Sequence, residues 1–173
     1  IIGAVEIGTS KAKALIGEVG ESESLNVVGM ASRPNEGMRK GEIVDFRKAA
    51  AAVHSALEDA EKMSGTTVDE VYLAQTGSHL KGQMLRGAAS VASSDSRVDV
   101  SDIQRAADEA KRRQPDQGRT YVHHVRTPIL LDGRIVQDPV GMIGSKIDLG
   151  YWSIDGEDQA IKQALHVISN YSL

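Results

Sequence analysis

The sequence of 173 residues has no cysteine, which excludes disulfides, thiolate nucleophiles and every cysteine-ligated zinc or iron–sulfur site. That absence permits a reducing compartment and does not favour secretion. Aromatic residues are scarce, one Trp, one Phe and four Tyr making 3%, so base-stacking platforms and aromatic sugar-binding surfaces are poorly supplied. No apolar run approaches the ~18 residues that span a bilayer, and no basic leader opens the chain. Excess positive charge is lacking as well: Lys+Arg 20 against Asp+Glu 24 leaves −4, with no global field for nucleic acid or anionic lipid. What remains, 40% hydrophobic and 25% charged, is the composition of an ordinary globular protein. The opening Ile1-Ile2-Gly3 carries no initiator methionine, and the expectation is a piece of a longer protein.

Apolar runs at 1–7, 12–19 and 25–31, separated by Gly8-Thr9-Ser10-Lys11 and Gly20-Glu21-Ser22-Glu23-Ser24, predict a three-stranded antiparallel meander, since parallel strands need a longer crossover. A loop is expected over 33–43, with Pro34, Gly37 and Gly41. Asp45 then stands where an N-cap belongs. Phe46, Ala49, Ala50, Val53, Leu57, Ala60 and Met63 recur at helical spacing until Ser64-Gly65 ends the run. A strand is predicted over 68–74, and the texture turns small and polar from Gln75 to about Ser96. Ser101 with Gln104 reads as a capping box for a helix bearing Ile103, Ala106, Ala107 and Ala110, which must stop before Pro115. Strands are expected at 121–125 and 129–131, with Asp132-Gly133 as a two-residue hairpin turn. A loop over 138–144 leads to a strand at 146–154, and a last helix from about Asp155 would carry Ala160, Ile161, Ala164, Leu165 and Ile168 on one face and end in the last few residues.

The chemistry concentrates at Glu6-Ile7-Gly8-Thr9-Ser10-Lys11. A tight turn between strands, with Gly, Thr and Ser, can aim successive backbone N–H groups and hydroxyls at a phosphate while a lysine adds charge. The same Gly-Thr-Ser-Lys also suits a plain surface hairpin. It is not a Walker A loop, whose lysine follows a longer glycine-spaced run into a helix. His123 and His124 are adjacent in a predicted strand, so their side chains point to opposite faces and do not share one metal. Lys111-Arg112-Arg113 complements a helix C-terminus as a solvated face. The serines of 90–96 have neither a Gly-x-Ser-x-Gly elbow nor a partnered base, and no hydrolase triad follows.

The stretch Ile2-Gly3-Ala4-Val5-Glu6-Ile7-Gly8-Thr9-Ser10-Lys11 resembles the first phosphate motif of the actin-like ATPases. Three later segments narrow the resemblance to the FtsA family of bacterial cell division: Gly37-Met38-Arg39-Lys40-Gly41 with Ile43 and Asp45, then Val71-Tyr72-Leu73-Ala74-Gln75-Thr76-Gly77-Ser78-His79, then Asp138-Pro139-Val140-Gly141-Met142-Ile143-Gly144. The opening motif fits many actin-like proteins, whereas the Gly-Met-x-Lys-Gly segment and the Pro-Val-Gly loop are more specific. The resemblance implies an α/β fold: residues 1–78 the first part of an actin-like (ribonuclease H-like) subdomain 1A, left incomplete, 79–155 an inserted α+β subdomain 1C, and 156–173 a helix returning to 1A. The chain would be an N-terminal fragment without subdomains 2A and 2B.

By the same resemblance, Glu6, Gly8, Thr9, Ser10 and Lys11 are expected to bind ATP in the full-length protein, with Glu6 holding Mg²⁺ through water; the fragment itself is expected to bind neither. Actin-like proteins place aspartate where this chain has Glu6. The extra methylene strains the octahedral placement Mg²⁺ demands, so weak or no hydrolysis is expected and no residue is assigned a catalytic role. Family function implies that the parent polymerises and tethers FtsZ, held by the absent 2B, to the inner face of the cytoplasmic membrane at the division site through an absent C-terminal helix. Subdomain 1C would contact later division proteins such as FtsN and neighbouring protomers, and no nucleic-acid partner is expected. Two alternatives share the superfamily: a type IV pilus assembly scaffold of the PilM type, and a sugar-kinase-like phosphotransferase, which Glu6 and the insertion disfavour.

Overall fold

Along β1 (Ile2–Ile7) and β2 (Lys11–Val19) alternate side chains are buried, as a sheet covered on one face requires. The computed structural model describes residues 1–20 and 24–169, so the expected turn at 21–23 and the expected end of the last helix lie outside the described residues. The chain divides into two compact units, Ile1–Leu80 with Glu157–Leu173, and Lys81–Gly156.

In the first unit β3 (Leu25–Pro34), β2, β1 and β6 (Val71–Ala74) form one sheet in that order. The meander pairs antiparallel as expected, with a bulge at Ile16/Gly17, while β6 joins β1 in parallel. The parallel pair follows from the intervening crossover, which contains α1 (Phe46–Ser64). Asp45 caps that helix by accepting from the Lys48 N–H at 3.1 Å, and Gly65 closes it with φ +68. Its buried face is mostly alanine, with Val53 and Leu57. Small residues let it lie close on the sheet: a Cβ at Gly29 of β3 would run into the Ala60 carbonyl. Val5, Ile7, Ala14 and Ile16 meet Val53, Leu57, Val167 and Ile168 in one core. Each fully buried large aliphatic there contributes about 1.5–3 kcal/mol.

The second unit is built on β11 (Lys146–Glu157), which β7 (Leu80–Ser90), β8 (Arg119–Arg126) and β9 (Ile129–Leu131) flank, with β10 (Arg134–Val136) outermost beside β9. Helix α2 (Val100–Lys111) covers one face, burying Ala106, Ala107 and Ala110 against Ile129, Leu131, Ile147 and Leu149. Asp132 (φ +49) and Gly133 (φ +81) form the β9–β10 turn that Asp-Gly predicts.

Several expectations shift. The loop expected over 33–43 contains a further hairpin, β4 (Met38–Arg39) with β5 (Glu42–Ile43), turned by Lys40 (φ +52) and Gly41 (φ +82); two-residue strands are too short to show alternation. The polar stretch after Gln75 carries the eleven-residue β7. The α2 cap is Asp99 with Asp102, not Ser101 with Gln104: Asp99 accepts from the Ser101 N–H at 2.9 Å and Asp102 from the Asp99 N–H at 2.8 Å. Carboxylates are the stronger acceptors at a helix N-terminus. β11 runs to Glu157, so α3 spans Asp158–Ser169 and buries Val167 and Ile168, while Leu165 is exposed. Met63, expected on the buried face of α1, is exposed in its last turn and accepts the Met30 N–H on its thioether.

Candidate phosphate-binding site

Strand β1 delivers Glu6 and Ile7 to the hairpin turn, with Ile7 buried toward α1 and Glu6 on the opposite face. The Gly8 N–H donates to the Lys11 carbonyl at 3.0 Å, closing a turn whose central residues are Thr9 and Ser10. A Cβ at Gly8 would lie 2.7 Å from that carbonyl, so the closure needs glycine. The N–H groups of Thr9 and Ser10 and the Ser10 hydroxyl have no partner among the described residues, and both residues are exposed, as is Lys11. Glu6, Gly8, Thr9, Ser10 and Lys11 are thus together at one turn. Glu6 lies directly across from Lys13 in register and pairs with its Nζ at 2.9 Å through Oε2.

Two residues from the 33–43 loop hold this turn, Asn35, which the sequence did not single out, and Gly41, which it did. Asn35 is buried; its Nδ2 donates to the Gly8 carbonyl at 3.0 Å, its N–H to the Ser10 carbonyl at 2.9 Å, and its Oδ1 accepts the Gly37 N–H at 3.0 Å. The Gly41 N–H, at the tip of the β4–β5 hairpin, donates to Thr9 Oγ1 at 3.0 Å. With the carbonyls of Gly8 and Ser10 engaged on Asn35, the turn presents N–H, hydroxyl and ammonium groups, the donors that recognise an oxyanion, beside the Thr9 carbonyl, which has no partner among the described residues. Pro34-Asn35-x-Gly37 is a turn signal in the sequence, but a brace across 27 positions has no local signature. Beside the turn, at the carboxyl ends of the parallel strands β1 and β6, a cleft of about 300 Å³ opens, lined by Ile7, Ala74, Gln75, Thr76 and Gln163.

Elsewhere the tempting residues have structural partners. His124 Nδ1 lies 2.7 Å from Ser153 Oγ, and its ring meets Tyr121 at 4.7 Å. Burial, followed by the charges of Lys111 and His123, holds its pKa below the usual histidine value. Lys111 sits over the Tyr151 ring and Arg112 pairs with Glu109 at 2.6 Å. Among the described residues no cluster of His, Asp and Glu could hold a metal by itself.

Residues 77–154 match the family described as the SHS2 domain inserted in FtsA. The cell division protein FtsA of Neisseria meningitidis serogroup B is 30% identical over 99% of this chain and 41% of its own length. FtsA of Bacillus subtilis is 27% identical over 95% of this chain and 37% of its own. The chain is FtsA-like. It spans about two fifths of the length of these FtsA relatives. A chain of the solved PilM-PilN type IV pilus biogenesis complex superposes on 99% of the FtsA-like chain with a TM-score of 0.57 at 16% identity, covering 45% of that chain, and so shares its fold. The architecture is therefore the expected α/β, actin-like one, and the matched SHS2 segment carries the sheet built on β11 with α2.

Proposed function

We propose that the parent protein is an FtsA-like, actin-like ATP-binding protein of bacterial cell division that links FtsZ filaments to the inner face of the cytoplasmic membrane, polymerises, and recruits later division proteins. One observation carries the reading: curated FtsA relatives align along almost the whole chain and the SHS2 insertion falls inside the match. In this reading residues 1–78 and 156–173 belong to subdomain 1A and 79–155 are subdomain 1C, which offers the surface for partners such as FtsN and for neighbouring protomers. FtsZ and membrane would be held by parts of the parent outside these residues.

The β1–β2 turn fits the phosphate part of ATP, since the N–H groups of Thr9 and Ser10 and the Ser10 hydroxyl, without partners among the described residues, lie together with Lys11 at one exposed turn. Mg²⁺ would supply charge neutralisation between phosphate and Glu6, through water. Glu6 fits that role less well, because Oε2 is already paired with Lys13 and the cation must compete with an ammonium. Slow turnover follows. Likeness to the PilM-PilN chain keeps a pilus scaffold as the second reading on fold alone. Capture of the full-length protein on immobilised FtsZ and PilN tail peptides separates the two: retention by the FtsZ tail and a fluorescent ring at mid-cell support the division reading, whereas retention by the PilN tail without a ring overturns it.

A further inference from the structure

We propose that the second unit's sheet, on the face turned away from α2, docks an acidic, apolar peptide segment of a partner protein. Adjacent strands build this site row by row. Ile135 of β10 lies opposite Leu130 of β9, which lies opposite Asp148 of β11. Two residues along the same face of β11, Gly150 is tied to Thr127, its N–H donating to Thr127 Oγ1 at 3.0 Å. Two further on, the Trp152 indole covers Gly82 of β7, where a Cβ would lie 2.6 Å from the ring.

Gly150 removes side-chain bulk from the middle of the face, and beside it a trough of about 260 Å³ opens, walled by Met84, Pro128, Leu130 and Ile135. Met84 is 42% exposed, Trp152 45% and Ile135 72%, so large apolar side chains that a folded core would cover stand in solvent around a concavity. The space takes one leucine- or phenylalanine-sized side chain, and an exposed tryptophan further along the same face is the kind of anchor that dominates interface energetics.

Charge selects the occupant. Asp148 is neutralised by Lys146 Nζ at 2.6 Å. Arg86, which also lines the trough, has no ion-pair partner among the described residues. A partner carboxylate beside an apolar side chain would satisfy the guanidinium and fill the trough together. This docking site gives a place and a chemistry to the recruitment role proposed above and does not involve the nucleotide turn.

A random dodecapeptide library displayed on phage, selected on the 173-residue chain and counter-selected on Met84→Glu, tests it. Enriched peptides should place Leu, Ile or Phe next to Asp or Glu. They should shift the emission of Trp152, the chain's one tryptophan, and lose about tenfold or more in affinity on Met84→Glu. Arg86→Glu should turn the selected charge from acidic to basic, a change that an unfolded variant cannot produce. Enrichment of basic peptides on the native chain, or of none that distinguish it from Met84→Glu, overturns the proposal. So does self-association of the native chain that Met84→Glu abolishes, since a second copy would then be the occupant. Failure of FtsZ-tail capture would leave this result standing, and failure of the peptide selection would leave the division reading standing.

Discussion

At the scale of single residues, His124 ties local chemistry to stability. Its ring is partly buried between Tyr121 and Tyr151, hydrogen-bonded to the fully buried Ser153, with Lys111 and His123 nearby. Burial first, then the electrostatic influence of Lys111 and His123, depresses its pKa below 6.5, so the folded state disfavours its protonation. Its contribution is complete above the unfolded value and is lost as pH falls through 6.5 toward the lower folded value, because only the unfolded chain readily gains the proton. Thermal melts from pH 7.5 to about 5 should show the melting temperature of the native chain falling more steeply than that of His124→Asn; equal slopes would contradict this. Residue-scale reading from sequence reaches the turn residues, since Gly8, Thr9, Ser10 and Lys11 are contiguous. It does not reach Asn35 or Lys13, whose roles depend on strand register and on a buried amide far along the chain.

Secondary-structure elements are legible where both ends are marked. Helix α1 has an aspartate before it, a glycine after it and an apolar period between, and all are used. At helix α2 the Ser101-x-x-Gln104 pattern points past the true cap, Asp99 with Asp102, because a buried Asp102 that also accepts the Ala92 N–H fixes the start of the helix there. Asp99→Ala should therefore cost about 1 kcal/mol in urea unfolding, and Ser101→Ala a few tenths at most; the reverse order would return the cap to Ser101. Close approach sets a second test. A Cβ at Gly87 of β7 would run into the Ala106 carbonyl and the Ala110 backbone nitrogen, whereas one at Gly133 meets nothing within 4 Å. Gly87→Ala should destabilise by about 2–3 kcal/mol through overpacking, and Gly133→Ala by about 1 kcal/mol from its left-handed backbone alone. Similar losses at the two positions would contradict the packing of β7 on α2.

For the whole molecule, two cores follow from two sets of side chains. The cluster under α1 draws on Ile1–Leu80 and Glu157–Leu173, and the cluster under α2 draws on Lys81–Gly156. A polypeptide of residues 77–156 should accordingly fold alone, with a cooperative thermal transition and dispersed amide resonances; a chain without either would show that its core needs the first unit. The meander, the helix positions and the Asp-Gly hairpin are visible as pattern in the sequence. The parallel β1–β6 pairing and the order of strands around β11 are long-range choices that no local pattern expresses.

The nucleotide role rests on donors at the exposed Thr9 and Ser10, and among the described residues the Ser10 side chain has no partner to lose. Titration of a fluorescent ATP analogue into the full-length protein, native against Ser10→Glu, is the most direct measurement of that claim. A carboxylate placed where phosphate would sit should weaken binding about tenfold or more while leaving the melting temperature within a degree or so. Unchanged affinity in a folded Ser10→Glu protein would contradict it.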